Sequence, residues 1–336
     1  MSEENKFLKN EDSVFSFLPL LNIKSEDIER PAVVAVSGGV DSMCLLHFLL
    51  SKGFRNLVVA HVDHGWRDSS YEDALFVEAH SKKFNLPCYL LNLKDKNIPH
   101  TEAAAREARI QFFQDVAYQV GAETVWLGHH ADDLVETMLF QLFRGSSLSG
   151  LTALQEISGY KNSSILCRRP FLSVTKSALI VYAKEYQIEF REDITNQYPD
   201  YARNRVRNEL LPLVKDIMQR EVTPQLLQFY QTALHENDFM SIEVKDWIKK
   251  NLVLEKNDSV FNITEEFKCL HVALQLRVLR YWLVDFLRLT GINANHLNQV
   301  LKISLERQPS RHNLPDNVMV IRKNKKLSVI RNKYEQ

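Results

Sequence analysis

No two cysteines in this chain of 336 residues stand in a Cys-x-x-Cys spacing. The four that exist, Cys44, Cys88, Cys167 and Cys269, are scattered, which argues against an iron–sulfur cluster or a structural zinc site. Cys44 and Cys88 lie in apolar runs and read as small buried hydrophobes. Net charge is absent too: 42 basic residues balance 42 acidic ones, so the overall charge selects no class of partner. No apolar run approaches a membrane span, and no membrane partner is expected. The polar start, Met-Ser-Glu-Glu-Asn-Lys, carries no signal-peptide core, so the expected compartment is the reducing cytoplasm. Internal repeats and low-complexity tracts are also missing. What remains is an ordinary globular composition, 45% hydrophobic, on a chain long enough for two domains.

The most informative stretch is Val33-Val-Ala-Val-Ser-Gly-Gly-Val-Asp-Ser42. A β-branched run reads as a buried strand, Ser37-Gly38-Gly39 as a tight turn, and Val40–Ser51 as a helix. Glycine lets the backbone turn sharply and keeps side chains away from a ligand. The helix start adds unpaired N–H groups and a positive dipole end, which together favour phosphate. There is no Gly-Lys-Ser/Thr here, so this is not a Walker A loop and no lysine of the loop reaches a β- or γ-phosphate. Ser37 and Ser42 suit phosphate oxygens, and Asp41 suits a Mg²⁺ ion bridging them. The loop resembles the phosphate loop of ATP pyrophosphatases, which split ATP into AMP and pyrophosphate. Residues Ser37, Gly38, Gly39, Val40, Asp41 and Ser42 are thus the expected nucleotide contacts.

Downstream, strand and helix patterns alternate: Leu57–Val62, Tyr71–Phe84, Cys88–Leu93, Thr101–Val120, Thr124–Gly128 and Asp132–Phe143. That alternation predicts an α/β fold, a doubly wound, mostly parallel sheet with helices on both faces. Ligands of such sheets bind at the carboxyl ends of the strands. After the second strand stands His61-Val-Asp-His-Gly-Trp-Arg67, where Asp63 or His64 is expected near the adenosine. After the fourth stands Gly128-His-His-Ala-Asp-Asp-Leu-Val-Glu-Thr137. Asp132 or Asp133 is expected to cap the next helix. Asp133 and Glu136, three apart, share a face and suit a cationic substrate or a metal. Thr101 is the expected cap of a helix that carries Arg106 and Arg109 on one face. Arg203, Arg205 and Arg207 follow Tyr201, a pattern that suits phosphate contact and base stacking.

Pro212 is read as the end of the first domain. Beyond it, 222–250 and 264–290 read as long amphipathic helices and His296–Leu305 as a short one. Val318–Arg322 and Leu327–Arg331 read as a hairpin about Lys323-Asn324-Lys325-Lys326. From Lys302 onward nine basic residues face three acidic ones, a candidate nucleic-acid surface. The expected organisation is an arm over 1–30, a catalytic domain over 31–215, and a helical and small α+β domain over 216–336.

Taken in order, these motifs resemble those of the tRNA(Ile)-lysidine synthetase family. The series continues through Arg144-Gly145, Arg169-Pro170, Glu192-Asp-Ile-Thr-Asn196 and Arg203-Asn-Arg-Val-Arg207. Leu314-Pro-Asp-Asn-Val318 before a basic hairpin resembles the family's tRNA-binding extension, and the chain is short for the family. The resemblance implies a phosphate-loop ATPase fold of the adenine nucleotide alpha-hydrolase type. It also implies a ligase that adenylates the wobble cytidine of a tRNA(Ile) with a CAU anticodon, and then joins free L-lysine to C2. ATP and Mg²⁺ are the implied cofactors, with Asp41 on the metal. Asp133 and Glu136 would hold the lysine, His129 or Asp133 would take the amine's proton, and Arg109 would join the catalytic set. Arg106, Arg109, Arg203, Arg205 and Arg207 would meet the anticodon loop. The oligomeric state stays open, a homodimer included. The competing readings are a tRNA-cytidine thiolase, which needs paired cysteines, and a non-catalytic nucleotide- or tRNA-binding module.

Overall fold

A computed structural model describes residues 23, 25–63, 65, 70–95, 99, 101–160, 163–191, 202–251 and 260–331. The chain divides into two compact units, one of Met1–Arg144 with Ala153–Phe229 and one of Gly145–Thr152 with Tyr230–Gln336. Pro212, read as a domain end, stands instead in the first turn of a helix within the first unit.

The first unit begins with a short helix, α1 (Ser25–Glu29), and continues β1 (Ala32–Ala35), α2 (Val40–Ser51), β2 (Leu57–Asp63), α3 (Ser70–Lys83) and β3 (Cys88–Asn92). Then come α4 (Glu102–Val120), β4 (Thr124–Trp126) and α5 (Ala131–Phe143). After α6 (Leu148–Leu151), which belongs to the second unit, follow β5 (Ile157–Gly159), β6 (Leu166–Arg168) and α7 (Lys176–Glu185). A helical run of α8 (Ala202–Arg205), a π-turn (Val206–Leu210) and α9 (Leu211–Met218) leads into α10 (Thr223–Asn251).

The six strands order as β3-β2-β1-β4-β6-β5, parallel except for the β5–β6 edge pair. Strand alternation explains the two-sided cover. Ala32, Val34 and Val59 pack with α2 and α7 residues such as Leu45, Phe48 and Leu179. Val33, Val58, Ala60 and Val125 pack with Phe113, Val116 and Ala117 of α4 on the other face. A period of two on strands buried on both sides is what a doubly wound sheet requires. The strand order runs outward from β1 in both directions, so the crevice for a ligand lies at the carboxyl ends of β1 and β4.

Short strands escaped the sequence reading. β5 and β6 are three residues each, and their ladder is set by neighbours rather than by propensity. Thr101 caps α4 as expected, its side chain accepting from Ala104 N–H. Neither aspartate caps α5 from the cap position. His130 stands there, and Asp133 reaches back so that its carboxylate accepts from His130 N–H at 3.0 Å.

In the second unit a four-stranded antiparallel sheet orders as β7 (Val260–Asn262), β10 (Lys326–Arg331), β9 (Val318–Lys323), β8 (Ser310–Leu314). The helix expected over 264–290 is three pieces: α11 (Glu265–Cys269), α12 (Val272–Arg280) and a π-segment (Tyr281–Phe286). Helix α13 (Ala294–Leu305) and the expected hairpin complete the unit. Asn324 and Lys325, both with positive φ, make its turn, the twist a two-residue hairpin needs. Trp282, Phe261, Phe267 and Val320 fill the core. Most basic residues of this stretch are exposed, but Arg322 points inward at a core position of β9. Its guanidinium donates to Ser304 O and Gln308 O at the end of α13, where a cation complements the helix dipole.

Candidate active site

The loop after β1 is held by its own hydroxyls. Ser42 Oγ donates to Gly39 O at 3.0 Å and lies 3.1 Å from both Ser37 N–H and Ser37 Oγ. Ser37 is exposed, whereas Val40 and Ser42 are buried at the first turn of α2. Gly38 has φ +90°, a backbone that L side chains rarely adopt. Its carbonyl accepts from Arg191 N–H at 2.9 Å. The open N–H groups of the first turn and the small residues before them form an anion cradle at the sheet's carboxyl edge.

The end of β4 lies almost against this loop. A Cβ on Gly128 would meet the Asp41 carbonyl carbon and oxygen at 3.0 Å and Ser42 N at 3.2 Å. Only a residue without a side chain allows that approach. Gly128 therefore brings the two strand ends together.

What gathers there is charge. His130 is buried, its side chain 2% exposed, with Nε2 3.7 Å from Asp41 Oδ2 and 3.5 Å from Asp133 Oδ2, and Nδ1 3.3 Å from Asp132 Oδ2. Burial opposes its protonation, but Asp132, Asp133 and Asp41 outweigh that and lift it above an ordinary histidine. Burial likewise opposes ionisation of Asp132 and Asp133. Asp132 is nevertheless held low by His130 and by Lys176 N–H, which donates to Oδ2 at 2.8 Å. Asp133 is held low by His130, His129 and Arg207.

Arg207, expected to meet the anticodon loop, turns inward from the π-turn. Its Nη2 donates to Asp133 Oδ1 and to Glu136 Oε2, each at 3.0 Å, while Nε donates to Glu136 Oε1 at 2.5 Å. Glu136 is only 1% exposed at its side chain. The expected open pair of carboxylates is thus filled by an arginine from a segment 71 residues further on. A buried carboxylate requires such a partner, because burying the charge alone is far costlier. Lys176 escaped the sequence reading, and His130 stood in it as part of the motif after β4 without a role of its own. Lys176 Nζ donates to Asp41 Oδ2 at 3.0 Å across 135 residues.

The other expected residues fall in different places. Asp63 is buried at the end of β2, and its Oδ1 accepts from Gly65 N–H, holding the turn. His64 lies outside the described residues, as do Trp66, Tyr201 and 192–196. His129 is half-buried beside Asp133. Arg106 is exposed on α4, and Arg109 is half-buried, its charge acting on Tyr160 and Cys167. Arg205 faces outward and pairs with Glu209 one turn on. The backbone of Arg203 lies in α8, and its side chain is outside the described residues.

A family model described as a PP-loop domain matches residues 16–214, more than half of the chain. The chain belongs to the PP-loop family. It is 33% identical over 282 residues to the tRNA(Ile)-lysidine synthase of Bacillus subtilis (strain 168), covering 80% of this chain and 58% of that protein. It is 29% identical over 290 residues to the tRNA(Ile)-lysidine synthase of Staphylococcus aureus (strain COL), covering 84% of this chain and 67% of that protein. The chain therefore spans roughly three-fifths to two-thirds of the length of these PP-loop relatives. In fold it resembles the U34-tRNA thiolase NcsA from Methanococcus maripaludis, with TM-score 0.51 and 13% identity over 66% of this chain and 76% of that one. At that identity the likeness is one of fold alone.

Proposed function

We propose that this protein is a tRNA(Ile)-lysidine synthetase. It would activate the wobble cytidine of a tRNA(Ile) bearing a CAU anticodon and join free L-lysine to it. The observation that carries this reading is the meeting of an anion cradle at β1 with a carboxylate-rich cluster at β4, in a chain whose relatives carry that name. The cytidine O2 attacks the α-phosphorus of ATP, the bond to the β-phosphate oxygen breaks, and pyrophosphate leaves with the electron pair. The lysine amine then attacks C2, AMP departs with the former O2, and the amine's proton goes to the protein. Asp132 and Asp133 are held ionised and keep 35% and 21% of their side chains exposed, so they offer charge and access to the ammonium of a free amino acid beside the cations already there. They are correspondingly poor proton acceptors, and His129, half-buried beside Asp133, is the proposed acceptor of the amine's proton. Glu136 serves as the counter-ion of Arg207 rather than as a ligand open to solvent.

Asp41 is the proposed magnesium ligand. Its Oδ1 is buried and makes no hydrogen bond, and one such carboxylate oxygen fits an ion that takes its other ligands from water and phosphates. Bound there, the ion would offset charge on the phosphates. Arg106, Arg109, Arg203 and Arg205 supply cations for the anticodon arm, whose unpaired bases are read when splayed. A tRNA substrate places the reaction in the cytoplasm, and a homodimer is compatible with it. The thiolase alternative lacks support from the thiols. Cys44 and Cys167 are buried, and burial pushes the Cys44 thiol up to about 12, far from a reactive thiolate.

The test is AMP formation from ATP and total tRNA with each of the twenty amino acids in turn. AMP release that depends on lysine alone is the expected result. AMP release indifferent to every amino acid would mean another nucleophile and would overturn the proposal.

A further inference from the structure

The loop after β1 carries no cation of its own, although a nucleoside triphosphate brings several negative charges to it. Hydroxyls and a helix start supply dipoles, not full charge. The structure brings a cation in from elsewhere. Lys176 is the first residue of α7, behind the cap Thr175, and both of its ends are fixed. Its backbone N–H donates to Asp132 Oδ2 at 2.8 Å, and its Nζ donates to Asp41 Oδ2 at 3.0 Å. Ala131 N–H donates to Val174 O at 2.8 Å, which ties the start of α5 to the same segment. The side chain is 37% exposed, so the ammonium borders solvent at the edge of the cradle. An ammonium has three protons and Asp41 Oδ2 takes one, leaving donors for phosphoryl oxygens. Parallel pairing of β6 with β4 puts the chain after β6 on the carboxyl side of the sheet, with the loops after β1 and β4.

We infer that Lys176 is the phosphate-binding lysine of this site, delivered from α7 to the β- and γ-phosphoryl oxygens of the nucleotide and to the pyrophosphate that leaves. The proposal rests on the nucleotide reading given above and adds a residue to it. A lysine that served only to hold Asp41, the proposed magnesium ligand, would matter to ATP and pyrophosphate only while the metal is present. A phosphate-binding lysine matters without the metal as well, and does not matter to AMP.

The experiment is calorimetric titration of the full chain with ATP, inorganic pyrophosphate and AMP, each with Mg²⁺ and with a chelator, for the wild type, Lys176→Met and Lys176→Arg. In Lys176→Met, affinity for ATP and pyrophosphate should fall about tenfold to a hundredfold with and without Mg²⁺, the range for a lost hydrogen bond to a charged group. AMP affinity should stay unchanged, and Lys176→Arg should recover part of the loss. Equal weakening of AMP and ATP, no weakening of either, or a loss confined to the Mg²⁺ titrations would overturn the assignment of Lys176 while leaving the nucleotide site standing. A wild-type protein that bound neither ATP nor pyrophosphate would overturn the nucleotide reading and this inference with it.

Discussion

The loops after β1 and β4 face each other across the contact between Gly128 and Asp41, yet they are built on opposite principles. The β1 loop is largely local. Its side-chain hydrogen bonds run between Ser37, Gly39 and Ser42, within five residues, and a backbone bond from Arg191 N–H to Gly38 O joins it from outside. The β4 loop is assembled from afar: His130, Asp132 and Asp133 meet Asp41, Lys176 and Arg207. A site for phosphate needs little beyond backbone N–H groups and hydroxyls in the right turn. A site that keeps several carboxylates ionised while buried must import cations, and the fold brings them from α7 and the π-turn.

The contrast breaks most visibly at Arg207. Arg207→Ala removes the guanidinium that pairs with the buried Glu136 carboxylate, and should destabilise the first unit by about 3–5 kcal/mol. Urea unfolding followed by tryptophan fluorescence would show it. The double variant Arg207→Met with Glu136→Gln should recover most of the loss, since it removes both charges together. If Arg207→Ala were as stable as wild type, the pair would not be buried as described.

Gly128→Ala tests the closeness of the loops. The added methyl must push back the Asp41 backbone, which is costlier to move than a side chain. A loss of about 1–3 kcal/mol is expected from such overpacking, together with weaker ATP binding. Unchanged ATP affinity would show that the approach of β4 does not shape the cradle.

Within the β1 loop the effects should be smaller. Ser42→Ala removes the acceptor of Ser37 N–H and a donor to Gly39 O, and should cost about 1 kcal/mol. The thermal midpoint would report it, and ATP affinity should fall with it. A larger loss than that of Arg207→Ala would invert the contrast drawn here.

The smallest effect is a change in the pH dependence of stability. The folded pKa of His130 is raised above the ordinary 6.5, so its protonation stabilises the folded state. That contribution is fully present below pH 6.5 and is lost as pH rises through the raised folded value. The stability gap between wild type and His130→Gln should therefore be widest below that pH and narrow above it. Asp132, held below 3.8, works in the opposite sense, its contribution present above that value and lost as pH falls through its lower folded pKa. A His130→Gln gap that grew with rising pH would contradict the arrangement.

How much of this was legible in the sequence follows the same division. The β1 loop could be read because strand, glycines and helix are contiguous, and α2 begins and ends where the pattern placed it, at Val40 and Ser51. Asp133 and Glu136 could be read as a face, since they are one turn apart. Their partner could not. Arg207 looked like one of three outward arginines, but it lies two residues, about 200° of helix, from outward Arg205, and no local pattern says which of the two faces turns inward. Lys176 was invisible for another reason. Its position depends on β6, a three-residue strand whose pairing with β4 no local pattern announces. Arg322 shows the same limit in the second unit: a basic residue in a basic stretch occupies an inward position of β9 and serves a helix end.

The division of labour between the two loops is the central claim, and steady-state kinetics of lysine incorporation into tRNA(Ile) tests it most directly. Asp133→Asn should raise the KM for lysine with little change in that for ATP, and Ser37→Ala should do the reverse. If both variants raised both constants together, the loops would form one undivided site and the account would be wrong.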